Sequence, residues 1–142
     1  MGDNWIERKA RVERASREGA PQVWLDAVAA LRDSCTSFAQ HYPEPLSVEI
    51  ESKNGHRLLI KVFRKRAIPG TRGTLESAGI IDVTFDANAP QITVTYREKV
   101  SQFPISSDEK HAFLTHKNEL LESDAFSKLV LEDVLFQKAA TQ

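Results

Sequence analysis

Hydrophobic and polar residues alternate along four blocks between Leu46 and Glu98. Leu46, Val48 and Ile50 alternate with Ser47, Glu49 and Glu51. Leu58, Ile60 and Val62 alternate with Arg57, Leu59, Lys61 and Phe63. The third block sets Ile81, Val83 and Phe85 against Asp82, Thr84 and Asp86, and the fourth sets Ile92, Val94 and Tyr96 against Thr93, Thr95 and Arg97. Side chains leave a strand on alternate sides, so each block reads as a strand with one buried face. The β-branched content agrees. In the first turn, a two-residue Asn54-Gly55 loop would oppose Val48 to Lys61 and bury the lysine. A three-residue loop, Lys53-Asn54-Gly55, opposes Ile50 to Leu58, Val48 to Ile60 and Leu46 to Val62. It keeps Lys61 outside and is the expected register, with Gly55 left-handed as a bulge. Ala87-Asn88-Ala89-Pro90 closes the next hairpin and opposes Phe85 to Ile92, Val83 to Val94 and Ile81 to Tyr96.

Upstream of the sheet the period changes. Trp24, Val28, Leu31, Cys35, Phe38 and Tyr42 follow at spacings of four, three, four, three and four, a single amphipathic stripe. This predicts a core helix over 21–42 that covers the apolar sheet face. Pro21 suits a first helical turn, and Gly19-Ala20-Pro21 reads as a break. Pro43 and Pro45 end the helix. Residues 1–20 are expected as a polar helical arm, with Asn4 and Glu7 as N-cap and partial capping box. Only Trp5, Ile6 and Val12 are large and apolar there. The arm is either solvated and anchored by Trp5, or it docks Trp5 on a partner subunit.

After Tyr96, Arg97-Glu98-Lys99 interrupts the pattern without a turn signal. Phe103 and Ile105 resume it around Pro104, which points to an edge strand or an irregular piece. Residues 106–122 admit a helix capped by Ser106 and Glu109, or a strand from His111 to His116. The strand is preferred, opposing Leu114 to Phe103 and Ala112 to Ile105, because Lys117-Asn118-Glu119 then reads as a turn. Ser123 with Asp124 opens a C-terminal helix over 123–139. Phe126, Val130 and Val134 face one way on it, and Leu131 and Leu135 face well round from them. So wide an apolar circumference implies two contacts: the sheet, and either the N-terminal helix or a second subunit.

The composition leaves this picture unchanged. The 142 residues suffice for one domain with its own core, and 41% hydrophobic with 27% charged residues excludes a disordered chain. The net charge of −1 gives no global pull towards nucleic acid or acidic lipid. Cys35 is the single cysteine, which rules out an internal disulfide and suits a reducing cytoplasm. Within the stripe it reads as a small buried hydrophobe rather than a nucleophile. The segment Met1–Arg8 is charged and has no signal-peptide core. No apolar run is long enough to span a membrane.

Candidate chemistry is sparse. His41, His56, His111 and His116 match no metal-ligand spacing, so neither a metal nor a cofactor is expected. Asp82 and Asp86 share a strand face, but alternate aspartates are usually solvated. The 67–74 loop has two glycines flanking Arg72 and could cradle an anion through backbone N–H groups, although it lacks a phosphate-loop ending. The informative feature is charge. Seven basic residues, Lys53, Arg57, Lys61, Arg64, Lys65, Arg66 and Arg72, occur between positions 53 and 72 without one acid. Glu49, Glu51, Asp82 and Asp86 on neighbouring strands offer them cross-strand partners. Leu59 and Phe63 share that outer face and imply a cover, either the C-terminal helix or a partner.

The expected fold is therefore α+β: an antiparallel sheet of four to six strands over 46–117, covered on one face by an N-terminal amphipathic helix, with a C-terminal helix. The expected function is a non-catalytic binding or protein-interaction module in the cytoplasm, with a protein partner or itself as a homodimer. Its candidate binding surface is Arg57, Leu59, Lys61, Phe63, Arg64, Lys65 and Arg72. Its candidate interface is Trp5, Leu131 and Leu135. One alternative is nucleic-acid or anionic-ligand binding through the basic 53–72 segment. The other is an enzyme with a small-molecule pocket between sheet and helices.

Overall fold

In the computed structural model, which describes residues 4–42, 46–66, 70 and 73–136, the N-terminal half of the helical sequence is one element. Asn4 caps a helix, α1, that runs from Trp5 to His41 over 37 residues, and Asn4 Oδ1 accepts from the Glu7 N–H at 2.8 Å. Gly19-Ala20-Pro21 does not break it. The reason is a continuous stripe of small and large residues across that point: Ser16, Ala20, Trp24, Ala27, Leu31, Cys35 and Phe38 are all buried. Arg17 and Pro21 sit on the exposed side, so the carbonyl that Pro21 leaves unbonded is on the face towards water. Gly19 is there for contact. A Cβ at that position would lie 2.6 Å from Ala112 Cβ.

The strands are β1 (Leu46–Asn54), β2 (Arg57–Arg66), β3 (Thr74–Asp86), β4 (Gln91–Tyr96), β5 (Lys99–Ser107), β6 (Ala112–His116) and β7 (Glu119–Leu120). They form one antiparallel meander in chain order. Seven strands exceed the expected range by one, the short β7, which the sequence shows only as part of a turn. Helix α2 (Ser123–Leu135) follows, with Glu122 as N-cap rather than Ser123. Residues 137–139 of its expected span lie outside the described residues.

Two registers differ from expectation, both by two residues. In β1–β2, Ile50 opposes Ile60 and Val48 opposes Val62. The loop is the two-residue Gly55-His56, and a bulge between Ser52 and Asn54 absorbs Lys53. The bulge, rather than the expected three-residue loop, restores the parity that keeps Lys61 outside. Gly55 is not left-handed; Asn54 Oδ1 closes the turn by accepting from the His56 N–H at 2.7 Å. In β5–β6, Leu114 opposes Ile105 and Ala112 opposes Ser107. Asp108 moves that turn along by one, since its Oδ1 accepts from the N–H groups of Lys110 and His111. The β3–β4 register is the expected one, with Phe85 opposite Ile92, Val83 opposite Val94 and Ile81 opposite Tyr96.

Turns without glycine account for the strands that were hard to read. Arg97 takes φ 59° between β4 and β5, and Lys117 and Asn118 take φ 53° and 66° between β6 and β7. Left-handed backbone at both positions 117 and 118 is the hairpin geometry that matches strand twist. Pro104 sits inside a long central strand, not at an edge. β5 pairs with β4 through Pro104 and with β6 from Ile105 onward, and Thr115 Oγ1 donates to the Pro104 carbonyl at 2.8 Å.

Both helices cover the same sheet face. Leu58, Ile60, Val62, Ile81, Val83 and Ile92 are buried beneath them with Leu31, Phe126 and Val134. Trp24 stacks on Phe85 at 5.6 Å, and its Nε1–H donates to the Gly55 carbonyl at 2.7 Å, tying α1 to the first hairpin turn. Near the other end of the sheet, Ser16 Oγ donates to Ser107 Oγ at 3.1 Å, and Ser107 Oγ donates to the Val12 carbonyl at 2.6 Å. Among the described residues no helix is long and apolar enough to cross a membrane.

Candidate functional site

Among the described residues no helix lies on the opposite sheet face, and strand alternation decides what it displays. Arg57, Leu59, Lys61, Phe63 and Lys65 project from β2 on this side, away from the buried Leu58, Ile60 and Val62. On β3, Asp82 opposes Leu59, Ile80 opposes Lys61 and Leu75 opposes Lys65. Ile80 is 49% exposed and Leu75 is 64% exposed, while Leu59 and Phe63 are half-buried. Leu59 is diagonal to Ile80 and Phe63 is diagonal to Leu75, and a β3 bulge at the Val62–Phe63 step spaces the two couples apart, so Leu59, Ile80, Phe63 and Leu75 form a stretched staircase. Val100, 59% exposed, lies on the same face two strands away and is separated from Leu59 by Asp82 and Thr95 in one cross-strand row. Ile80, Leu75 and Val100 were missed in the sequence. Ile80 was legible in principle, because burial of Ile81, Val83 and Phe85 turns its side chain outward.

The charges on this face are paired locally. The Arg57 guanidinium donates two hydrogen bonds to Asp82, at 3.0 and 2.8 Å. Lys61 Nζ lies 2.7 Å from Glu51 Oε2, and Lys53 Nζ lies 2.9 Å from Glu51 Oε1. Hydrogen bonds from Lys61 and then Lys53 hold the Glu51 carboxyl down at about 2. The same bonds, seen from the cations, raise Lys61 through Glu51 and Arg57 through Asp82. Arg64 and Lys65 are exposed further along β2. Arg72 and most of the 67–74 loop lie outside the described residues, although Gly70 and Gly73 within it are left-handed, with φ 81° and 86°.

The candidate interface residues lie apart in burial. Leu131 and Leu135 are 3% and 6% exposed, and both belong to the core. α2 makes its two contacts within the chain. Phe126 meets Phe103 edge-on at 5.0 Å on the sheet side, and Ser127 Oγ bonds Ser34 Oγ at 2.5 Å on the α1 side. Trp5 is 74% exposed at the start of α1, and Arg11 further along the helix is tethered to Glu109 at 3.1 Å.

The clefts carry little chemistry. One of about 300 Å³ lies between α1 and α2, lined by Ser37, Phe38, Tyr42, Lys128 and Phe136 among others. Another, of about 570 Å³, lies between α1 and β1 and is lined by Cys35, Ala39, Val48 and Ile50 with Arg32, Thr36 and Gln40. Burial pushes the Cys35 thiol up to about 11, against the pull of Arg32, so it stays protonated and unreactive near neutrality. Asp86 Oδ1 accepts from the N–H groups of Asn88 and Ala89, so Asp82 and Asp86 serve separate structural bonds. Among the described residues no group of three His, Cys, Asp or Glu side chains could hold a metal ion. No protein-family model, curated protein or solved structure matches this chain.

Proposed function

We propose that the chain is a non-catalytic protein-interaction module whose contact surface is the outer face of β2 and β3. The observation that carries this reading is the staircase of Leu59, Ile80, Phe63 and Leu75 on a face that neither helix covers. Contiguous apolar side chains left in water mark contact sites. The neighbouring charges favour a protein over a nucleic acid. A phosphate surface needs cations that are available and aromatics that stack. Here Arg57 and Lys61 are engaged with Asp82 and Glu51, and the basic strand carries one aromatic, Phe63. A reducing cytoplasm suits a chain with one buried thiol.

The test is surface-specific crosslinking in cells. A photoreactive residue at position 80 should form protein adducts that the same residue at position 129, exposed on α2, does not form. Ile80→Asp should abolish adducts from position 75. Equal yields from positions 80 and 129 would refute the reading. Salt-sensitive RNA or DNA binding that is lost in the Lys61→Glu/Arg64→Glu variant would replace it with nucleic-acid binding.

A further inference from the structure

The two edges of the sheet are built differently. β7, at one edge, has two residues, and so short a strand offers almost no backbone to a stranger. β1, at the other, has nine residues, and from Leu46 to Ser52 it runs regularly against β2 with no proline and no bulge. Among the described residues no strand pairs with its outer side. Its inward-facing side chains are left incomplete. Val48 and Ile50 are half-buried, although they point to the same side as Leu58, Ile60 and Val62, which are 1%, 0% and 0% exposed one strand further in. The cleft between β1 and α1 opens beside them. Long edges without a charge pointing inward are templates for another strand.

We infer that the occupant of this edge is β1 of a second copy, paired antiparallel about a two-fold axis to join two seven-stranded sheets. β1 is complementary to itself. Opposed residues in an antiparallel pair point the same way, so the apolar Leu46, Val48 and Ile50 must face their counterparts. Three pairings satisfy this over most of the regular stretch from Leu46 to Ser52. Opposing Glu49 to Glu49, or Glu49 to Glu51, sets like charges against each other. Opposing Val48 to Val48 instead sets Leu46 against Ile50 and Ser47 against Glu49, with no like-charge pair. That register covers the half-exposed Val48 and Ile50 and brings the two β1–α1 clefts together, with Cys35, Ala39, Val48 and Ile50 on their apolar side and Arg32, Thr36 and Gln40 on their polar side. It uses a different surface from the outer-face reading, so either can fail without the other.

Light scattering across a concentration series should give twice the 16.0 kDa chain mass at the upper end. Ser47 is exposed, so its variants leave the fold intact, as circular dichroism can check. Ser47→Glu places a carboxylate opposite Glu49 twice per dimer and should weaken dimerisation roughly 2- to 30-fold, while Ser47→Lys should strengthen it. In the Cys35→Ala background, Val48→Cys should oxidise to a covalent dimer, since opposed strand residues lie within disulfide reach. A monomer at the highest soluble concentration overturns the inference. So does a dimer whose affinity is the same in the glutamate and lysine variants.

Discussion

Gly19→Ala separates helix propensity from packing. In a helix interior alanine is favoured over glycine by roughly 0.5–1 kcal/mol, so propensity alone makes this substitution stabilising. The added Cβ, however, would stand 2.6 Å from Ala112 Cβ, with Ala112 N at 3.5 Å and Cα at 3.6 Å. Carbon atoms pack favourably at about 3.5–4.0 Å, so α1 and β6 must part by about 1 Å. No rotamer relieves this contact, because Ala112 Cβ is one bond from the backbone. The strand is not free to retreat, since Ala112 opposes Ser107, and Ser107 is bonded to Ser16 and Val12 of α1. Overpacking of this kind costs about 1–3 kcal/mol. Less the propensity gain, the variant should be less stable by up to about 2.5 kcal/mol. Urea denaturation followed by far-UV circular dichroism should show a lower midpoint at an unchanged slope. Adding Ala112→Gly removes the opposing atom and should recover much of the loss, with a coupling of about 1 kcal/mol or more. A Gly19→Ala midpoint at or above that of the unaltered chain refutes the contact.

Trp24→Phe removes the indole bond to the Gly55 carbonyl and should cost roughly 1–3 kcal/mol. It also leaves only Trp5, so emission should shift to the red and become fully quenchable by iodide, whereas Trp5→Phe should leave blue, protected emission; equal quenching would contradict the burial of Trp24. Glu51 should titrate near 2 in carboxyl-detected NMR, and Lys61→Gln should raise its midpoint. Its folded value is depressed below the ordinary 4.5, so its contribution to stability is present above 4.5 and lost as pH falls towards 2. A midpoint unmoved by Lys61→Gln would dissociate the shift from that bond.

Much of the fold is written in local pattern. Alternation placed β1 to β4 and the inward face of each, because one buried face forces a period of two on any strand. The 3.6-residue stripe from Trp24 to Phe38 marked a helix on that face for the same reason. It also marked Cys35 as a core residue. Outer-face pairing was partly legible: the acids able to meet Lys61 and Arg57 were visible, and Glu51 and Asp82 are the ones that do.

Other features depend on residues distant in sequence. Gly19-Ala20-Pro21 carries local signals for a break, yet α1 continues, since Ser16 and Ala20 are buried and Gly19 lies against Ala112, 93 positions away by number. Small residues do not show in a pattern of large apolar ones. Registers slipped by two where a bulge or an aspartate-closed turn set the count, while parity held because burial enforces it. Leu131 and Leu135 read as surplus on an isolated helix; only the packing of α2 between sheet and α1 covers them. The sequence by itself determined which side of each strand faces the core. Tertiary structure decided where the helices lie, and so which faces the described residues leave uncovered, the outer face of β2 and β3 and the edge of β1, since burial against a distant partner is a property no local pattern contains.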